Sequence, residues 1–318
     1  MEKDTQSSKY DAQNIQVLKG LEAVRKRPDL EEISLKAKQG NVLSLAMTMN
    51  IDYSSLKRAL EELKVLNLVP GINKSKVIPL ARLKTNKELI MFSKKYDLSK
   101  FSTRETYKLV KKWNKSLTKD PLKLLSKDQH DLVVGSLFGD ASVRKKNRNA
   151  FFRVSHSKKQ KKYLNYKWDE LKGFIKKRYF YQKILNNRLL ETYELNSISH
   201  PVFNFYRDLF YKNGKKVVTR EALDLLTSKS LAIWICDDGS YDNKQGYVIL
   251  CTNSFSKKEH EIMKKYFNEV WGLDPTIGFR DKKYYYLRFK QDDSKILVRI
   301  IEPHIPEGME YKIGEKNG

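Results

Sequence analysis

The sequence predicts an α+β protein in which one helix-and-strand unit occurs twice, as a pseudo-two-fold domain, behind an all-α region. Three observations carry this. Two apolar runs of helical length, DLVVGSLFGDA at 131–141 and LAIWICDDGS at 231–240, each stop abruptly at an acid followed by a small residue. After each run the same pieces follow in the same order: strand, small polar triplet, amphipathic helix, strand. Before about residue 115 the pattern is helix, turn, helix, and beyond Asp128 it changes to alternating helices and strands.

Size and composition narrow the class. A chain of 318 residues exceeds what one compact core usually holds, so two or three domains are expected. Apolar residues make up 40%, and no apolar run approaches membrane-spanning length, so no membrane association is expected. The first thirty residues lack a signal-peptide core, which places the expected location in the cytoplasm. The two cysteines, Cys236 and Cys251, lie in apolar segments and read as packed thiols, not as a disulfide or zinc framework. Five histidines scattered singly argue against a zinc enzyme. The 63 Lys and Arg against 38 Asp and Glu leave a net charge of +25, far beyond the needs of solubility. Such an excess points to a polyanion, and to nucleic acid before an anionic membrane, because no long helix with a clean basic face is evident.

Taken in order, residues 1–9 are polar and expected to be disordered. Residues 10–28 (YDAQNIQVLKGLEAVRKRP) closely resemble the start of the ATPase domain of bacterial DNA gyrase B. The match stops at Pro28 and none of that family's Gly-rich nucleotide-binding segments follows, which rejects an ATPase. Residues 1–30 read instead as a leader, coding sequence of a host gyrase gene carried in frame into an inserted element. A short helix of no functional meaning is the plain alternative.

Residues 31–115 read as a helical DNA-binding region. Apolar residues over 42–49, a turn at 50–52 and a helix from Ser54 outline a helix-turn-helix, with Asp52 or Ser54 as the cap and Lys57 and Arg58 near the second helix's start. A second outline follows at 88–110, where Ser102 and Glu105 form a capping box ahead of a helix that carries Arg104. Residues 116–127, polar with one Pro, are expected to form a linker.

The remaining domain, 128–318, divides into halves at about 128–215 and 216–318. In the first, FFRV at 151–154 reads as a strand, the triplet Ser155-His156-Ser157 ends it, and a helix is expected over 158–174. In the second, YVIL at 247–250 is the strand, Thr252-Asn253-Ser254 the triplet, and 257–270 the helix. The acids closing the two apolar runs are chemically unusual. A helix C-terminus has unpaired carbonyls and the negative end of the dipole, so a carboxylate there calls for a cation. Mg2+, which takes carboxylate oxygens and completes its shell with water and phosphate, suits that position. Two buried helices that end in ordinary Asp-Gly or Asp-Ala turns are the bland reading of either run alone.

These residues resemble the LAGLIDADG homing endonucleases, and in particular the LAGLIDADG DNA endonuclease family. Gly135, Gly139 and Asp140 look like the first motif, and LAIWICDDGS the second. FYKNGKKV at 210–217, TNSF at 252–255 and IEPHIP at 301–306, followed by Met309, Tyr311 and Lys312, are further marks. The resemblance implies a saddle of two antiparallel sheets with helices on one face, and Mg2+-dependent, site-specific cleavage of double-stranded DNA; the duplicated halves lead to the expectation of a monomer.

Two or more Mg2+ ions, with Mn2+ as a substitute, are then implied at Asp140 and Asp238, with the neighbouring Ala141 and Gly239 completing the metal set. Asp237 is the neighbour most easily confused with Asp238. Where relatives often carry a Gln that positions water, this chain has His156 and Asn253; both can hydrogen-bond water, and His156 reads equally well as a structural residue. Arg288 and Lys290, placed on a late strand, and Lys312 are candidates to polarise the phosphate. The run 144–162 holds nine Lys and Arg and no acid. It begins where DNA would arrive, which offers Arg144, Lys145, Lys146, Arg148 and Arg153 to phosphates. The small residues of the two runs are out of phase: Gly135 and Gly139 lie five and one before Asp140, Ala232 and Cys236 six and two before Asp238. An asymmetric seam is expected. The preferred target is the uninterrupted allele of a gyrase B gene, in the nucleoid of a bacterial or phage-infected cell. An intron RNA maturase and a DNA-binding regulator without cleavage are the alternatives.

Overall fold

A computed structural model describes residues 53–185 and 188–314. Residues 1–30, expected as a leader, and the first helix and turn of the upstream helix-turn-helix outline lie outside that range, as does the side chain of Lys57. The chain divides after Trp113 into two compact units.

The first unit holds α1 (Tyr53–Leu68), α2 (Lys74–Leu80), α3 (Asn86–Lys95) and most of α4 (Thr103–Leu117). A short 3-10 turn, Leu98–Lys100, joins α3 to α4. The Glu105 N–H donates to Ser102 Oγ at 3.3 Å and the Ser102 N–H to Glu105 Oε2 at 2.7 Å, a reciprocal box that satisfies two otherwise orphaned donors. Phe92 of α3 packs edge-on against Trp113 of α4 at 5.7 Å, and the Trp113 indole donates to the buried Glu88 carboxylate at 3.0 Å. Arg104 is exposed on α4, whereas Arg58 on α1 pairs with Glu62 at 3.2 Å.

The stretch expected as a linker is packed instead. It contains the end of α4 and a 3-10 turn, Pro121–Lys123, capped by Asp120. Leu117, Leu124 and Leu125 in it are buried. Leucines at this spacing bury more apolar surface by docking than a solvated tether would leave exposed.

The second unit carries the repeat. Its first half runs α5 (Lys127–Phe138), β1 (Ser142–Lys146), β2 (Asn149–Ser157), α6 (Lys161–Glu170), β3 (Ile175–Leu185), β4 (Arg188–Ser197), α7 (Val202–Phe210) and the small hairpin β5 (Tyr211–Lys212) and β6 (Lys215–Lys216). The second runs α8 (Arg220–Leu223), α9 (Ser228–Asp238), β7 (Gly239–Asp242), β8 (Tyr247–Leu250), α10 (Lys257–Trp271), β9 (Thr276–Arg280), β10 (Tyr284–Arg288) and α11 (Gln291–Ile301). Each half builds an antiparallel four-stranded sheet in the same order, β1-β2-β4-β3 and β7-β8-β10-β9. Along β2, Ala150, Phe152, Val154 and His156 point into the core while Phe151, Arg153 and Ser155 do not, so helices cover one face and the other stays open.

Helices α5 and α9 meet at their backbones. A Cβ at Gly135 would lie 2.2 Å from the Ser230 carbonyl oxygen and 2.7 Å from Ile233 Cβ; one at Gly139 would lie 2.4 Å from Asp237 Cβ. The close approach is supplied by glycines of α5 alone. On α9 the facing positions are Ser230, Ile233 and Asp237, while Cys236 clusters with Tyr163 and Met309. The seam is therefore asymmetric, in keeping with the phase shift read from the sequence. Phe138 stacks on Trp234 at 4.7 Å across the same pair of helices. No helix among the described residues is long and apolar enough to cross a membrane.

Candidate active site

Both motif helices deliver their acids at the same end of the seam. Capping boxes start the helices, Ser126 with Gln129 for α5 and Thr227 with Ser230 for α9. Helix α5 stops at Phe138, Gly139 caps it, and Asp140 follows with its side chain 42% exposed. Asp238 is the last residue of α9, half-buried, and Gly239 caps it. Burial raises the Asp140 carboxyl to about 6, with the Asp237 charge next in effect, although its open edge keeps that desolvation partial. Burial likewise raises Asp238 to about 7, with Asp140 and then Asp237 adding repulsion.

Asp237 is unlike its neighbours. Its side chain is fully buried, as is that of Lys167, which donates to Oδ1 at 2.7 Å and to Oδ2 at 3.0 Å. The Tyr163 hydroxyl donates to Oδ1 at 2.7 Å and the Asp140 N–H to Oδ2 at 3.2 Å. Adjacent acids of one motif are thus separated by environment: Asp237 is sealed and paired, Asp238 only half-buried. No sequence signal marked Lys167 or Tyr163, both on α6.

A lysine sits at each helix end. Lys216, at the end of β6, donates to the Gly139 carbonyl at 2.8 Å; Lys312 donates to the Gly239 carbonyl at 2.7 Å. Both complement the negative end of a helix. Burial lowers Lys216 to about 8 against the opposing pull of Asp238. Lys312 was named as a candidate from sequence, whereas Lys216 lay within the FYKNGKKV mark without a role of its own. The repeat held the signal: Lys216 stands 76 residues beyond Asp140 and Lys312 stands 74 beyond Asp238.

The triplet residues bring unsatisfied polar atoms. His156 Nδ1 is 3.4 Å from Asp140 Oδ2 and Nε2 is 3.7 Å from Asp237 Oδ1, and neither nitrogen has a hydrogen-bond partner among the described residues. Burial, then Lys167, pushes the imidazole down to about 3, so it is neutral. Asn253 Oδ1 is buried and likewise without a partner. Buried polar atoms are rarely left so.

This donor set fits a divalent cation: two carboxylates that resist ionising together, and orphaned nitrogen and oxygen atoms. Asp140, His156 and Asp237 each offer an atom within 4.8 Å of the others, but both oxygens of Asp237 are already committed. Ala141 is buried, with its N–H bonded to the Ser136 carbonyl at 2.8 Å, and the Gly239 carbonyl already accepts from Lys312.

Residues 130–297 match the LAGLIDADG DNA endonuclease family. The chain belongs to that family. Among its relatives is the probable intron-encoded endonuclease 1 of Wickerhamomyces canadensis, 28% identical over 216 residues, 65% of this chain and 90% of that protein. The cytochrome b mRNA maturase bI2 of Debaryomyces hansenii is 28% identical over 203 residues, 60% of this chain and 76% of the other. The solved homing endonuclease I-WcaI, bound to its DNA recognition sequence, superposes with a TM-score of 0.56 at 23% identity, covering 60% of this chain and 88% of that one.

In this LAGLIDADG chain the basic candidates fall into two groups. Arg144, Lys145 and Lys146 are exposed on β1, and Arg148 is exposed in the turn after it. Arg288 is exposed on β10 over the Tyr247 ring, and its Cα pairs with Ile249, whose partner on β7 is Ser240. Arg153 on β2 is ion-paired with the buried Glu194 of β4, two residues from its register partner Asn196. One expectation needs correction. Lys290 is not on a strand: β10 ends at Arg288, and Lys290 is the N-cap of α11.

Proposed function

We propose that this protein is a site-specific homing endonuclease that hydrolyses phosphodiester bonds in both strands of DNA with Mg2+. The observation that carries the reading is the pair Asp140 and Asp238, presented at the ends of two abutting helices in a chain of net charge +25. Asp140 and Asp238 would hold the cations, with His156 beside the first. Bound there, Mg2+ supplies charge neutralisation at the phosphate and lowers the pKa of water. The chain's own groups do the rest. Neutral His156 and Asn253 each offer an unsatisfied polar atom that would hydrogen-bond and orient water. Lys216 and Lys312 tie down the carbonyls that flank the acids. Arg288 and the β1 cations would meet phosphates on the open faces of the sheets.

The leader resembling gyrase B supports an open reading frame within an intron of a gyrase B gene, with the uninterrupted allele as target. The test is incubation of a plasmid carrying that uninterrupted junction with protein and Mg2+. Linear product is expected, and it should be lost in Asp140→Asn and in Asp238→Asn. The relative named as a maturase gives a second reading some weight. Intact plasmid together with tight binding of the intron RNA would favour that role and defeat the nuclease.

A further inference from the structure

Asp237 has no part in the reaction just described, yet it is the most heavily engaged acid at the seam. Helix α5 ends at Phe138, two residues before its acid. The Gly139 N–H bonds back to the Gly135 carbonyl at 3.2 Å and the Ala141 N–H to the Ser136 carbonyl at 2.8 Å. The N–H between them, that of Asp140, finds its partner across the seam in Asp237 Oδ2. Asp238 differs: it lies inside α9, so that helix's own hydrogen-bond ladder orients it. The reciprocal contact from α5 is ruled out by composition, because the residue before Asp140 is Gly139, which has no side chain.

We propose that Asp237 is a positioning residue for one of the two strand cuts, clamping the backbone of Asp140 from the opposite motif helix, with Lys167 and Tyr163 as its fixed anchor. Tyr163 and Lys167 hold the carboxylate from α6, both fully buried or nearly so. The Gly139 backbone lies against the Asp237 side chain, so movement of that side chain is transmitted to the residue before the acid. The two centres are then mechanically unequal, one acid held by its own helix and the other by a cross-seam clamp. The inference rests on the endonuclease reading and adds to it an asymmetry between the strands.

The test uses the full chain and a duplex labelled on both strands, carrying the site cut in the plasmid assay, so that each nicking rate is read separately. Removing Asp237 alone would strand the buried Lys167 charge, so both are replaced by apolar residues of similar volume, Asp237→Leu with Lys167→Met. The ratio of the two nicking rates is expected to change by about tenfold or more, since small misplacements of reacting groups carry costs of that order. Asp237→Asn with Lys167→Met keeps an acceptor for the Asp140 N–H and should return the ratio towards the wild-type value. Tyr163→Phe, which leaves no charge unpaired and is expected to fold, should shift the ratio in the same direction by a smaller factor. Equal slowing of both strands in these variants, or an unchanged ratio in all of them, overturns the clamp while leaving the nuclease standing. A wild-type protein that cuts neither strand overturns both.

Discussion

Replacing Gly135 by Ala should force the two motif helices apart. The new methyl would sit 2.2 Å from the Ser230 carbonyl oxygen and 2.7 Å from Ile233 Cβ, and the first of these is helix backbone that cannot rotate away. Ordinary contact of carbon with oxygen needs about 1 Å more, so the helices must separate by that order near Gly135. Overpacking of this kind costs about 1–3 kcal/mol. Ala is favoured over Gly inside a helix by about 0.8–1 kcal/mol, which leaves a net loss of about 0–2 kcal/mol. For a unit of this size that lowers Tm by at most about 8 °C. Activity should suffer more than stability. Asp140 and Asp238 ride on the two helices, and a displacement of about 1 Å can cost about a hundredfold in rate. Gly173→Ala is the control, because a Cβ there meets nothing within 4 Å. Thermal melts and plasmid linearisation on the three proteins decide the matter. A Gly135→Ala protein that cleaves at the wild-type rate would refute the tight seam as the source of the site's geometry.

Asp140 and Asp238, raised to about 6 and about 7, hold protons in the folded, metal-free protein that the unfolded chain releases near pH 4. The stability they contribute is full below about pH 4 and lost as pH rises through about 6 to 7, so Tm in chelator should fall between about pH 5 and 8. Mg2+ should therefore raise Tm more at about pH 8 than at about pH 5.5, and an identical response in Asp140→Asn with Asp238→Asn would contradict this. Lys216→Met and Lys312→Met should each lower the cleavage rate by about a hundredfold, because the carbonyls they tie down flank the acids and a displacement of about 1 Å carries a cost of that order. DNA binding at constant salt is the comparison, and wild-type cleavage by both variants would dismiss these lysines. Mutating Arg144, Lys145 and Lys146 to Ala should flatten the plot of log affinity against log salt by about 0.9 for each phosphate no longer neutralised, whereas Arg153→Ala, already paired with Glu194, should leave the slope alone. Filter binding over a salt series separates the two outcomes.

What was legible in the chain was local and periodic. The strand at 247–250 and the helix from Lys257 stand where alternation and helical period put them, and the repeat showed that two acids close two like helices. The phase of the small residues even announced an uneven seam, since glycine at one position and isoleucine at its counterpart cannot pack alike. Composition named the class of partner, because charge sums without regard to fold. The choice of contacts between distant segments lay beyond it. Lys167 lies seventy residues before Asp237, and its basic neighbours on α6 look much like it in sequence; only the rotation of α6 against the seam selects it and buries it. The same holds for Arg153, spent on Glu194 by strand register, and for Leu124 and Leu125, which dock a stretch whose polar residues suggest a tether. Periodicity reveals which face of an element is apolar, but which charges meet across that face depends on the angle and register at which whole elements pack, and those are set only when the core closes.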